Sequence, residues 1–149
     1  MRYFLLVSLI TTITNSLAQN SQDSVKNVIQ TLFLAMKNAD TTLLKISFAD
    51  SAVLQTIVTS EQDIVKVRTE QLKEFVDFIS KEEKGNADER IIFETIKIDG
   101  PLAFVWTPYK FYYKGKFSHC GVNSFQLVKL SGGWKIQYLI DTRRKDNCE

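Results

Sequence analysis

The sequence predicts an α+β domain in which helices come first and an antiparallel sheet follows. Three observations favour this class: an amphipathic helical pattern after residue 20, two shorter helical patterns with brief β-rich segments between them, and four long strand patterns separated by turn residues. Helices and sheets each have an apolar face that must be buried. This order of elements therefore predicts helices packed on one face of a curved sheet.

The first 18 residues have the features of a secretory signal peptide. Arg2 supplies a positive charge, Tyr3 to Ile13 form an apolar run, and Ser16-Leu17-Ala18 places small residues where a signal peptidase cleaves. The apolar run is shorter than the about 20 residues that span a bilayer. We therefore expect residues 1–18 to be removed, leaving one domain, 19–149, that is exported to the periplasm or secreted and is not attached to a membrane.

Charge and composition argue against several classes of function. The chain has 19 Lys and Arg against 17 Asp and Glu, with one His and two Cys. The basic cluster at 143–145 is surrounded by acidic residues, so we expect no nucleic-acid partner. A zinc site needs three or four converging ligands, and these residues are too few and too distant to supply them. We expect no metal and no cofactor.

Helical patterns occupy three segments. After the N-cap candidates of Ser21–Ser24, apolar residues recur at the i, i+3, i+4, i+7 spacing that predicts an amphipathic helix. They are Val25, Val28, Ile29, Leu32, Phe33 and Met36. Asp40 is expected to cap a short second helix, and Thr69 to begin a third whose apolar face extends to Ile79.

Strand patterns account for most of the remaining chain. Two short β-rich segments, 51–58 and 63–69, lie between the second and third helical patterns. The charged segment Lys81–Arg90 is interpreted as a loop. Four longer patterns follow, joined by turn residues, and they predict an antiparallel meander. Their ranges are 90–98, 102–114, 116–130 and 134–144.

The only histidine, His119, stands directly beside Cys120. Successive residues of a strand face opposite sides, whereas a nucleophilic cysteine and its base must meet within hydrogen-bond distance. A regular strand therefore separates the two, although a bulge at Gly121 would change the alternation. The favoured interpretation is a disulfide between Cys120 and Cys148 on one face, with His119 on the other. There His119 either faces a pocket or is a structural histidine that a neighbouring backbone group or carboxylate satisfies.

The order of elements resembles the nuclear transport factor 2-like superfamily. The resemblance rests on "FADSAVL" (Phe48 to Leu54) and on "SFQLVKLSGGWKIQYLIDT" (Ser124 to Thr142), and it is nearest to the exported bacterial branch of SnoaL-like and "putative lumazine-binding" proteins. It implies a cone-shaped curved antiparallel sheet wrapped around the N-terminal helices, a cystatin-like α+β barrel. It also implies a cavity at the open end and a homodimer formed through the outer sheet face.

No catalytic set of this superfamily transfers whole to the chain. Steroid isomerases of the fold use a tyrosine on the first helix, and Ser21–Ala39 contains none; dehydratases of the fold use two histidines, and this chain has one. The candidates for catalysis are His119, Asp141 and Asp50, of which Asp50 matches a common aspartate position. The alternative role for Asp50 is to tie the local backbone.

Ligand-binding candidates come from the aromatic strand and from the polar residues near the predicted cavity mouth. They are Trp106, Tyr109, Tyr113, His119, Asp141 and Arg143. For the aromatic residues the alternative is core or dimer interface. Asp141 and Arg143 are either polar groups that contact a ligand in the cavity or a surface ion pair. Strict alternation places Asp141 on the face opposite to Trp134 and Ile136.

The leading prediction for function is an exported domain that binds a small, partly apolar ligand without catalysis. An acid/base enzyme of the isomerase, dehydratase or hydrolase type, using His119 with Asp141 or Asp50, is the first alternative. A dimeric interaction module without a small ligand is the second. The sequence does not identify the ligand.

Overall fold

The computed structural model describes residues 4–60, 62 and 64–148, with side chains from Ser21 onward. The side chains of residues 1–18, the predicted signal peptide, are not among those described. Cleavage of this segment stays a prediction. Within the described part the helices are α1 (Phe4–Asn38), α2 (Thr41–Ser47) and α3 (Leu72–Ile79). The strands are β1 (Phe48–Thr59), β2 (Val65–Glu70), β3 (Ala87–Ile91), β4 (Thr95–Asp99), β5 (Leu102–Tyr113), β6 (Lys116–Leu130) and β7 (Gly133–Thr142). None of the helices within those bounds is long and apolar enough to cross a membrane.

The predicted α+β class is confirmed: a curved, unclosed sheet packs against the helices. The strand order is β2-β1-β7-β6-β5-β3, with β4 also paired to β5. The meander from β4 to β7 is antiparallel as predicted. One pairing corrects the expectation of an antiparallel sheet, because β1 lies parallel to β7.

α1 carries the predicted apolar stripe and buries it against the sheet. Val25, Ile29 and Leu32 are at most 1% exposed. The Phe33 ring meets Phe125 of β6 edge-on, with 6.2 Å between centroids. We call the side of the sheet that carries Phe125 the inner face and the opposite side the outer face. The chain then turns into α2, where Asp40 Oδ1 accepts hydrogen bonds from the backbone N–H groups of residues 42 and 43, which confirms the predicted cap.

Two predicted boundaries are wrong. The third helix begins at Leu72 rather than Thr69, because residues 65–70 form β2 on the edge of the sheet. The segment 90–98 is two strands, β3 and β4, which pair with successive halves of β5 and are separated by a break at residues 92–94. β3 begins at Ala87, so the last part of the predicted charged loop is a strand. Glu89 consequently lies within the sheet.

A β-bulge changes the alternation along β7. Gln126 of β6 pairs with Tyr138, whereas the next residue pairs with Ile136, so one residue of β7 is left over. Trp134 and Ile136 are buried in the core before the bulge, and Asp141 is buried on the same face after it. The expectation that Asp141 faces away from Trp134 and Ile136 is therefore wrong.

The predicted disulfide between Cys120 and Cys148 is present, with 5.8 Å between the two Cα atoms. Cys120 is buried and faces away from the inner cavity described below. The backbones of Cys120 and Arg144 exchange two hydrogen bonds of 2.9 Å. The disulfide thus ties the C-terminal segment to β6 while His119 faces the inner side, so the structure separates the two neighbours as the alternation predicts.

Candidate functional site

A cavity of about 80 Å³ lies between α1, α3 and the inner face of the sheet; we call it the inner cavity. A second cavity of about 250 Å³, the mouth cavity, shares part of its lining, including His119 and Arg143. The helices supply an apolar wall of Phe33, Met36 and Phe75. The strands, with Arg143 directly after β7, supply a polar wall of Gln55, Thr56, Glu70, Glu89, Tyr109, His119, Asn123, Asp141 and Arg143.

Asp141 organises the polar wall. Its Oδ1 accepts a hydrogen bond of 2.6 Å from the Thr56 hydroxyl. Its Oδ2 accepts one of 2.8 Å from Arg143 Nε and one of 3.2 Å from the Tyr109 hydroxyl. Asp141 is 7% exposed, so the pair with Arg143 is not a surface ion pair. Because both carboxylate oxygens are engaged, Asp141 positions its neighbours and is poorly placed to act as a base.

Arg143 presents its remaining N–H groups to both cavities. Its Nη2 donates to Thr56 Oγ1 at 3.2 Å, and its Nε is held by Asp141. The side chain remains 40% exposed, which places part of the guanidinium at the opening. Burial lowers the pKa of Arg143, but the charge and the hydrogen bond of Asp141 together with nearby acidic groups outweigh it and raise the pKa, so Arg143 stays charged. The guanidinium can donate further hydrogen bonds to a ligand.

Tyr109 is fixed by its hydroxyl and by a close approach of the backbone. The hydroxyl lies 2.9 Å from the carbonyl oxygen of Thr142. Gly121 allows this arrangement, since a Cβ there would lie 1.8 Å from the same oxygen. Burial raises the pKa of the Tyr109 phenol, with the Asp141 charge as the next cause. Tyr109 therefore remains protonated and serves as a rigid donor within the wall.

His119 forms one side of both cavities. Its ring lies edge-on to Tyr109, at 5.7 Å between centroids, and 5.0 Å from Phe111. Nδ1 lies 3.0 Å from the Ser118 hydroxyl. Burial lowers the pKa of His119, with the Arg143 charge as the next cause. The imidazole is therefore largely neutral near pH 7 and available as a hydrogen-bonding group.

Glu89 projects from β3 into the same cavities. Its Oε1 accepts a hydrogen bond of 2.7 Å from Asn123 Nδ2. Burial is the largest cause that raises the pKa of Glu89, to about 7, while Asn123 lowers it and Asp141 raises it. A carboxyl group in a cleft whose pKa is raised in this way is a candidate functional group. Sequence reasoning missed Glu89 because it interpreted the segment as a loop.

The structure brings together four of the six predicted ligand-binding residues: Tyr109, His119, Asp141 and Arg143 line the inner cavity. Trp106 is 38% exposed, and its neighbour on β6 is Ser124, on the outer face. The Tyr113 hydroxyl donates to Glu82 at 2.9 Å, in the segment after α3. Strand alternation is the reason that Trp106 is separated from Tyr109.

The third catalytic candidate, Asp50, lies elsewhere. It borders a separate cavity beside α2 and α3, together with Lys45 and Asp77. The inner cavity therefore contains two of the three catalytic candidates, His119 and Asp141. No group of three or more His, Cys, Asp or Glu in the described residues is placed to hold a metal ion.

Comparisons with known proteins agree with this architecture. The family model described as "Putative lumazine-binding" matches residues 20–137. A search of curated proteins finds no match. Among solved structures, an NTF2-like protein of unknown function from Shewanella baltica aligns with a TM-score of 0.65 at 16% identity, covering 85% of this chain and 96% of that one.

Two further solved structures are similar. An NTF2-like protein of unknown function from Methylobacillus flagellatus has a TM-score of 0.64 at 19% identity and covers 84% of this chain and 93% of its own. A protein from Streptomyces avermitilis, described as a putative dehydratase from the NTF2-like family, has a TM-score of 0.60 at 14% identity, with coverages of 82% and 94%. At these identities the likeness shows the fold alone.

Proposed function

Because this chain belongs to the family described as "Putative lumazine-binding", within the nuclear transport factor 2-like superfamily, we propose that it binds a small, partly apolar molecule in the inner and mouth cavities. One observation carries the proposal: polar groups from β1, β3, β5, β6 and β7 converge on one wall of a cavity whose opposite wall is apolar. Small-molecule sites combine apolar linings with a few placed polar groups in this way.

The dimensions and contacts of the site favour a compact ligand. The mouth cavity, at about 250 Å³, approaches the lower end of the range for small-molecule sites, about 300 Å³. Phe33 and Phe75 offer ring surfaces, and Arg143, His119 and Glu89 offer hydrogen bonds at the opposite side. A small ring system with polar atoms on one edge satisfies both walls.

Acid/base turnover is the second candidate, and Glu89 is the observation that favours it. A pKa of about 7 suits a group that exchanges protons at neutral pH, and His119 lines the same cavities. Asp141 and Asp50, which the sequence suggested as catalytic partners of His119, are less suited to this role than Glu89. Both oxygens of Asp141 accept hydrogen bonds, and Asp50 lies in another cavity. Binding without catalysis therefore remains the leading proposal.

Native mass spectrometry of the protein purified from its own host tests both candidates. We expect one bound molecule per chain, and we expect added lumazine to compete for the same site, as the family's name suggests. One unchanged molecule supports binding, whereas a mixture of two interconvertible molecules supports turnover. If the native protein carries no molecule and does not bind lumazine, the binding proposal loses its support.

A pair of variants tests whether the bound molecule occupies the inner and mouth cavities. His119→Ala removes a group from both cavities, and we expect it to weaken binding about 2- to 12-fold, the equivalent of a lost hydrogen bond of about 0.5–1.5 kcal/mol. Trp106→Ala removes a larger aromatic side chain from the outer face and should leave binding unchanged. Thermal unfolding of both variants checks that each is folded. Equal losses from the two variants would place the ligand elsewhere.

We also propose that the protein acts outside the cytoplasm as a homodimer. The Cys120–Cys148 disulfide supports an oxidising compartment. Leu102 and Trp106, which are 49% and 38% exposed on the outer face, support self-association. N-terminal sequencing should show that the exported protein begins at Gln19. Sedimentation at micromolar concentration should give twice the mass of one chain. A retained N-terminus contradicts export by this route, and a monomeric mass contradicts the dimer.

A further inference from the structure

The Glu89 carboxyl group has only part of its hydrogen-bonding capacity satisfied. Oε1 accepts from Asn123 at 2.7 Å, while Oε2 has no hydrogen bond to any of the described residues. No Lys, Arg or His nitrogen among those residues lies within 4.0 Å of Glu89, so it has no ion pair there. The Glu89 side chain is half-buried, and a carboxylate that is partly removed from water and has no cation partner takes up a proton more readily than one in water.

The charged groups around Glu89 come from each neighbouring element, and none of the described cations lies within ion-pair distance of its carboxyl group. β7 and the residue after it contribute Asp141 and Arg143, which pair with each other at 2.8 Å. α1 contributes Lys37, which pairs with Asp88 at 3.1 Å. Other polar neighbours are Arg68 and Glu70 from β2, Tyr109 from β5, and His119 and Asn123 from β6. α3 contributes only the apolar rings of Phe75 and Phe78.

If the cavities hold a small ligand, as proposed above, this arrangement specifies part of its chemistry. We propose that Glu89 carries a proton and donates it as a hydrogen bond from Oε2 to an acceptor atom of the ligand, so that the site selects neutral molecules with a carbonyl oxygen or ring nitrogen over carboxylate anions. Glu89 is then a specificity-determining residue of the site.

The charge balance of the polar wall supports a neutral ligand. Among the described residues, Arg143 is the cation that lines the inner cavity, and Asp141 already offsets its charge. Arg68 borders only the mouth cavity, on the same side of β2 as the acidic Glu70. His119 is neutral, since burial lowers its pKa. The raised pKa of Glu89, about 7, agrees with a carboxyl group that stays protonated up to neutral pH.

Protonation of Glu89 can be observed without any ligand. Carbon-13 NMR of the glutamate carboxyl groups should show one that titrates near pH 7. The signal should disappear in Glu89→Gln and persist in Glu70→Gln, a matched change of a glutamate that lines the same cavities. A Glu89 carboxyl that titrates in the ordinary acidic range overturns the inference.

Benzamide and benzoate, which share a shape and differ in charge, test the ligand class by NMR titration at pH 6.5 and pH 8.5. Benzamide should bind more tightly than benzoate at pH 6.5. Between the two pH values its affinity should fall about 25-fold, because the protonated fraction of a group with a pKa of about 7 falls by that factor. In Glu89→Gln the affinity should stay constant, since the amide donates a hydrogen bond at every pH.

Two results overturn the inference directly: benzoate binding at least as tightly as benzamide at pH 6.5, or a pH dependence that persists in Glu89→Gln. Failure of benzamide to bind also overturns it when native mass spectrometry finds a bound molecule, and the proposed function then stands. If native mass spectrometry finds no molecule and neither lumazine nor benzamide binds, the proposed function and the inference fail together.

Discussion

Glu89→Gln should be more stable than the native protein at pH 8, by about 3 kcal/mol. Burial raises the pKa of Glu89 from 4.5 to about 7, so the folded protein binds this proton more tightly than the unfolded chain. The stabilisation is complete below about pH 4.5 and is lost as the pH rises through 7. The difference between the two pKa values corresponds to about 3 kcal/mol. Glutamine keeps the acceptor for Asn123 and has no proton to lose.

Urea unfolding of the native protein and the variant at pH 5 and pH 8 measures this effect. The free energy of unfolding of the native protein should fall by about 2–3 kcal/mol relative to the variant between these pH values. Glu70→Gln, in which a glutamate of β2 changes in the same way, should follow the native protein. If the native protein and Glu89→Gln respond to pH identically, Glu89 is charged in the folded state and the proposed hydrogen bond to ligand loses its basis.

The way Glu89 was missed shows what the sequence encodes and what it does not. "KEEKGNADER" is dominated by charged residues, and such a composition favours a loop. Ala87 and Glu89 within it, and Ile91 directly after it, have the two-residue period of one strand face, and that signal was available. What determines the strand is its pairing with β5, a contact between segments distant in sequence. Tertiary pairing therefore overrode the local composition.

Asp141 illustrates a second limit. Its residue type and its proximity to Arg143 mark it as a candidate from the sequence alone. Its face does not follow from alternation, because one bulge in β7 reverses the parity between Ile136 and Asp141. The bulge has no strong local signature such as a glycine at that point. By contrast, β6 is regular from Cys120 to Gln126 in its pairing with β5, and there alternation correctly separates His119 from Cys120.

Local patterns were more informative than patterns whose outcome depends on contacts between distant segments. The stripe on α1 and the Asp40 cap follow from local periodicity and capping chemistry, which need no knowledge of the partner segment. The aromatic residues of β5 are equally conspicuous in the sequence, yet Trp106 and Tyr109 serve opposite faces. Aromatic composition identifies a strand that packs on both sides, and only the register identifies which ring reaches the cavity.

Cys148→Ser should lower the free energy of unfolding by about 3–4 kcal/mol in oxidising buffer. The disulfide closes a loop of 28 residues in sequence separation, and in the chain-entropy account a loop of that size restricts the unfolded chain by about this amount. For a domain of this size the melting temperature should fall by about 10 °C. The effect is large because it is about a third of the total stability of a typical domain, about 5–15 kcal/mol.

Ligand binding should survive this loss of stability. Arg143 precedes the tethered segment, and its own contacts with Asp141 at 2.8 Å and Thr56 at 3.2 Å hold it in the polar wall. Cys120 is directed away from the cavities. At temperatures where Cys148→Ser is folded, its affinity for the bound molecule should therefore match that of the native protein, whereas His119→Ala should weaken binding without a comparable change in melting temperature.

Reducing conditions provide the matched control. The melting temperature of the native protein should fall in reductant to that of Cys148→Ser, and the variant should not respond to reductant. A serine at 148 preserves size and polarity, so this comparison isolates the covalent bond from side-chain packing. Should both cysteines react with a thiol reagent in native, unreduced protein, or should the variant melt at the native temperature, the disulfide does not form in solution and Cys120 is a buried thiol.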